Sequence, residues 1–192
     1  MHSWVLRLRA KIFGVCALLT AGAAQAEVVS EPYGKVGDGE ISAENHRECG
    51  MRRSYGNGVA EKEQGLFVLY DAQRQVALLG WAMRKTPLPP LGGPTHLDLA
   101  FLKGSSMDES WGNQPFQSQK GDGDGYVFTH IFAGSTDVQR ILRDIASHDI
   151  LALFLGPAVM MSHRLDASDA VAKLRECSLK IAERNSVDPP QR

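Results

Sequence analysis

The chain predicts an α+β domain: a mostly antiparallel β-sheet, a sandwich or open barrel of six or seven strands, with two helices (about 136–147 and 167–183) packed on it. Three observations carry this. Residues 66–83, LFVLYDAQRQVALLGWAM, are two apolar runs around a polar turn at Asp71 to Arg74, which is a hairpin pattern. THLDLAFLK sets Leu97, Leu99 and Phe101 against His96, Asp98 and Ala100, the alternation of a half-buried strand. Twice the apolar period lengthens from two to helical spacing, in STDVQRILRDIASHD and in DASDAVAKLREC.

The first 26 residues read as a leader. Arg7, Arg9 and Lys11 precede an apolar run, IFGVCALLTAGAA, of about 13 residues, which suits a signal segment and is too short to span a bilayer. Ala24-Gln25-Ala26 fits the small-x-small cleavage rule, so the mature chain is expected to start at Glu27, in the periplasm or outside the cell. No later apolar run is long enough for a transmembrane segment. Three of the 21 basic residues and none of the 22 acidic ones lie in the leader, leaving 18 basic against 22 acidic residues and a formal charge of −4. That balance argues against nucleic acid, which wants a basic face.

Export makes the cysteines informative. Cys16 leaves with the leader, so Cys49 and Cys177 remain, and an even number in an oxidising compartment pairs. A Cys49–Cys177 bond closes a loop of roughly 130 residues and stabilises by about 4–5 kcal/mol in the chain-entropy model. The competing reading, a catalytic thiol, finds no cysteine-protease motif around either residue.

Residues 27–48 are polar, with no sustained period, and read as an extended lead-in holding at most a short strand near residues 39–42. Cys49 opens a single disulfide-closed domain reaching to residue 184, and its first stretch, CGMRRSYGNGVAEKEQG, reads as a turn-rich connector. After the hairpin, KTPLPPLGGP breaks regular structure. Residues 104–125 read as a long polar loop of about 22 residues, and YVFTHIFA as a strand. In the first helix Val138, Ile141, Leu142 and Ile145 share a face, with Ser135, Thr136 or Asp137 to cap it. ILALFLGPAVMMSHRL reads as two strands joined at Gly156-Pro157. Ala170, Val171, Leu174, Cys177, Ser178 and Ile181 form the inward stripe of the last helix, and residues 185–192 are a polar tail.

An N-terminal cysteine, the LFVLYD strand and the ending MMSHRLDASDAVAKLREC resemble the layout of small exported proteobacterial proteins of the invasion-associated locus B type. The resemblance implies a periplasmic, β-rich, disulfide-closed domain with no established enzymatic mechanism.

Sites are sparse. The 104–125 segment holds Asp108, Glu109, Trp111, Asp122 and Asp124, which together suit contact with a partner protein. A calcium reading of Asp122 and Asp124 fails the EF-hand register, since Lys120 and Ile131 fall where acids are required. His96 and His130 form an acid-base or zinc-like pair with Asp98 only if their strands are neighbours in the right register. His46 and Cys49 have ligand spacing but no second pair. G-x-S-x-G, S-x-x-K with K-T-G, H-E-x-x-H and the phosphate loop are absent. The leading expectation is therefore a non-enzymatic exported binding domain, without cofactor or metal, whose partner is a cell-envelope protein. Two alternatives stand beside it: an immunity or inhibitor protein that offers its acids to an envelope-targeted enzyme, and a hydrolase whose active site follows no motif.

Overall fold

The structure, a computed structural model, describes residues 30–55, 64–84, 94–120 and 125–187. The strands are β1 (Ser30–Val36), β2 (Gly39–Glu44), β3 (Glu48–Tyr55), β4 (Gln64–Asp71), β5 (Val76–Arg84), β6 (Pro94–Lys103), β7 (Ser106–Lys120), β8 (Gly125–Ala133), β9 (Ile150–Leu155) and β10 (Ala158–Arg164). The helices are α1 (Ser135–Ser147), between β8 and β9, and α2 (Ser168–Val187), after β10. All the strands join one antiparallel sheet in the order β1-β2-β3-β4-β5-β8-β7-β6-β9-β10.

The α+β, mainly antiparallel expectation holds, but six or seven strands in a sandwich or barrel does not: ten strands form a single open sheet. The added strands lie where composition is polar. The lead-in is the β1–β2 hairpin, turned at Gly37 with φ 54°; β2 is the short strand expected near residues 39–42, and β1 is added to it. The first part of the connector, Cys49 to Tyr55, belongs to β3, which pairs with both β2 and β4; residues 56–63 lie outside the described residues. Most of the 104–125 loop is the 15-residue strand β7, laid against β6. These strands have one solvated face, and their neighbours satisfy the backbone, so they need few apolar side chains of their own.

The expected hairpin is β4–β5, and the pair at Gly156-Pro157 is β9–β10. Both helices fall where the periodicity places them. The buried face of α2 is Ala170, Val171, Leu174, Cys177, Ser178 and Ile181, and it packs over β1 to β4. α1 packs on β8, β5 and α2, burying Val138, Ile141, Leu142 and Ile145. Its cap differs from expectation: Gly134 is the N-cap, at φ 90°, and no side chain bonds there.

The core lies between the helices and the inner face of the sheet, where Ile41, Met51, Leu79, Trp81, Leu99, Phe101, Phe128 and Leu153 are almost fully buried. Cys49 and Cys177 are bonded inside it, with Cα atoms 6.0 Å apart, so α2 is stapled to the start of β3. On the outer face Gly80 pairs with Phe67, whose ring occupies the space a Cβ would take. Six strands separate β3 from β10, yet their ends touch: Tyr55 Oη donates to the Arg164 carbonyl at 2.9 Å, and Arg53 Nη1 to the Asp166 carbonyl at 3.0 Å. The sheet is curled into a trough, and side chains close its seam.

Candidate functional site

Asp108, Glu109 and Trp111 come together, on β7 and not on a loop, and they face α1. The β6–β7 register shifts between Leu99 and Ala100 and again between Phe101 and Leu102, so Trp111 and Asp108 are extra residues at bulges. Trp111 Nε1 donates to Asp144 Oδ2 at 3.0 Å, and its ring meets Phe132 edge-on, centroids 4.9 Å apart. Asp144 is fully buried, and Arg143 donates to its Oδ1 from Nε and Nη2 at 3.0 and 2.9 Å. The Arg140 guanidinium lies 4.3 Å over the Trp111 ring and donates to Glu109 Oε2 at 3.0 Å. Asp108 stands 3.1 Å from His148 Nε2 and 3.7 Å from Lys103 Nζ. The three residues expected to meet a partner thus hold β7 to α1, with charges matched within the chain. Asp122 and Asp124 lie outside the described residues. The sequence reading passed over Asp144, although its signal was visible: a carboxylate three positions after Ile141, on the helix's buried side.

The histidine pair does not form. β7 separates β6 from β8. His130 is on the inner face with Phe116 and Phe132, ring centroids 5.4 and 4.5 Å away, and donates from Nδ1 to the Pro115 carbonyl at 3.0 Å. His96 alternates with the inward Thr95 and Leu97, so it points outward; its Nδ1 lies 2.8 Å from Asn113 Oδ1, and Asn113 Nδ2 donates to Asp98 at 3.3 Å. Cys49 is spent in the disulfide and is no ligand for His46. Among the described residues no three His, Cys, Asp or Glu side chains converge in a way that would hold a metal.

The sequence reading gave no role to several groups whose protonation the fold perturbs. Glu48, at the start of β3, has its carboxyl pushed up to about 7, first by burial and then by the charges of Asp71 and Glu44, against a smaller pull from Arg74 and Arg47. Beside it Glu44 is fully buried; its Oε1 accepts from Ser30, Ser42 and Arg52 while Oε2 has no partner. His163, buried on the inner face of β10, stacks on Tyr55 with centroids 4.3 Å apart and ring planes 16° apart. Its Nε2 has no hydrogen-bond partner, and burial pushes the imidazole down to about 4. Burial raises the Tyr55 phenol. At the opposite edge, on the surface, Glu176 is pulled down to about 2 by bonds from Lys180, Lys173 and Tyr33.

The remaining feature is the outer face of β7, β6, β9 and β10. Register lays three rows across it: Asn113, Asp98, Phe154 and Val159; then Ser110, Ala100, Ala152 and Ser162; then Met107, Leu102, Ile150 and Arg164. The middle row is small, and its alanines, Ala100 and Ala152, are buried between the larger rows on either side. Val159 and Met107 are 61% and 59% exposed, and Ile131, farther along this face on β8, is 49% exposed. Nothing in this arrangement pairs a nucleophile with a base. Compared with family models, with curated proteins and with solved structures, the chain finds no match. Among the described residues no helix is long and apolar enough to cross a membrane.

Proposed function

We propose that this protein is an exported, non-enzymatic binding domain that contacts another cell-envelope protein through the outer face of β6, β7, β9 and β10. One observation carries the reading: Val159 on β10 and Met107 on β7 stand in water on the same face of the sheet, on either side of the buried Ala100 and Ala152. Large apolar side chains held out on a rigid sheet cost solubility unless something covers them, and a cluster of them marks a contact surface. The buried disulfide supports an oxidising destination, and the layout shared with small exported periplasmic proteins agrees with it. Asp108 and Glu109 are not the contact in this reading, because His148, Lys103 and Arg140 already hold them.

The test is capture from periplasm with tagged, oxidised mature protein, run beside the double variant Met107→Asp, Val159→Asp and the control Glu109→Gln. The expected result is one envelope protein retained by the wild type and by the control and lost with the double variant. Retention by the double variant would overturn the assignment of the face. Turnover of an envelope substrate by the purified domain would overturn the non-enzymatic reading.

A further inference from the structure

The seam between β3 and β10 carries an inference independent of the binding face. No backbone ladder joins these strands, and among the described residues the contacts that close the seam are made by side chains. Arg53 and Tyr55 of β3 each donate to a carbonyl at the end of β10 or just beyond it, and the His163 ring lies flat against Tyr55 between them and the core. We propose that the Tyr55–His163 stack is an acid-released latch: a proton taken up by His163 loosens the end of β10 from β3 while the disulfide-bonded core stays folded.

The geometry supplies the reason. The neutral imidazole is the less costly form here: one face is covered by the Tyr55 ring, and only an uncharged ring nitrogen, Nε2, is left without a partner. An imidazolium there has a second N–H to satisfy, and nothing within reach accepts it. The charged groups around it do not help. Arg53, on β3, has its guanidinium 5.8 Å from the Tyr55 ring centre, and Arg164 follows His163 on β10; both are cations. Two acids belong to the same region: Asp166, whose carbonyl is held by Arg53, and Asp38, whose charge acts on Tyr55. Among the described residues neither forms an ion pair with the imidazole. The protonated ring is therefore stable only when it swings out to water, and that motion breaks the stack. The Cys49–Cys177 bond, which holds α2 to the start of β3, has no part in the seam and keeps the rest in place.

Hydrogen exchange on the intact, oxidised protein at pH 7 and pH 5 tests the latch. The reporter is the Leu165 amide, which donates to the Asp149 carbonyl at 2.8 Å just past β10. After correction for intrinsic rates its protection should fall about twenty-fold on acidification, the ratio set by an imidazole moved from its ordinary range to about 4, while amides in β4 and β5 hold. His163→Phe keeps an aromatic ring against Tyr55 and removes the proton site, so its Leu165 protection should not change with pH. Tyr55→Phe keeps the stack and deletes the bond to Arg164, so protection should drop at both pH values with the twenty-fold ratio preserved. Equal protection at the two pH values in the wild type would overturn the latch. So would an undiminished ratio in His163→Phe, or a fall of the same size across β4 and β5. If His163→Phe does not fold, the wild type and Tyr55→Phe decide the question by themselves.

Discussion

Glu48 and His163 make opposite demands on pH, and their near-cancellation is the sharpest consequence of the structure. His163 has a folded value of about 4 against an ordinary 6.5. It takes up its proton more readily when unfolded, so its share of stability is complete above pH 6.5 and is lost as pH falls toward 4. Glu48 has a folded value of about 7 against 4.5. Its ionised form is penalised in the fold, so stability is complete below pH 4.5 and is lost as pH rises through 7. Between pH 7 and pH 5 the His163 proton costs about 2 kcal/mol and the Glu48 proton returns about 2 kcal/mol. Glu176, held near 2, enters only below this window. The two sites are independent: Tyr55, which His163 contacts, is seven residues along β3 from Glu48, about 24 Å in a strand. Urea unfolding of the oxidised protein, followed by the fluorescence of the core Trp81, should therefore give a nearly flat profile from pH 7 to pH 5 for the wild type. Glu48→Gln should lose about 2 kcal/mol across that range, and His163→Phe should gain about as much. The double variant should be flat again. A flat profile for Glu48→Gln would refute the reasoning, because it would mean that His163 is not held neutral by its burial.

Three further outcomes are expected. Replacing Cys49 and Cys177 together by serine, which frees a span of 128 residues, should cost about 5 kcal/mol and lower Tm by about 10–20 °C in calorimetry, and the denatured, unreduced chain from Glu27 onward, which lacks Cys16, should titrate with no free thiol. Gly80→Ala should destabilise by about 1–3 kcal/mol or more, because the new methyl meets the Phe67 ring; combining it with Phe67→Leu should recover part of the loss in a double-mutant cycle read by chemical denaturation. Asp144→Ala should cost about 1–3 kcal/mol, since it leaves the Trp111 indole N–H without its buried acceptor while the exposed Arg143 guanidinium turns to water, and Trp111 emission should shift to longer wavelength.

The sequence by itself determined what rests on local pattern and on counting. The stripe from Ala170 to Ile181 gives the inward face of α2 residue by residue, because a helix presents one face at a fixed period whatever it packs against. The β4–β5 and β9–β10 hairpins follow from apolar runs broken by turn residues, and the Cys49–Cys177 pairing from there being two cysteines beyond the segment that reads as a leader. Tertiary structure alone decided β1, β3 and β7, since a strand with one wet face takes its hydrogen bonds from neighbours that no local window contains. It also decided the register that sends His96 and His130 to opposite faces, and the closeness of Trp111 to Asp144. The curl that brings Tyr55 against His163 joins residues 108 positions apart across six intervening strands, and only the accumulated twist of the whole sheet produces that contact.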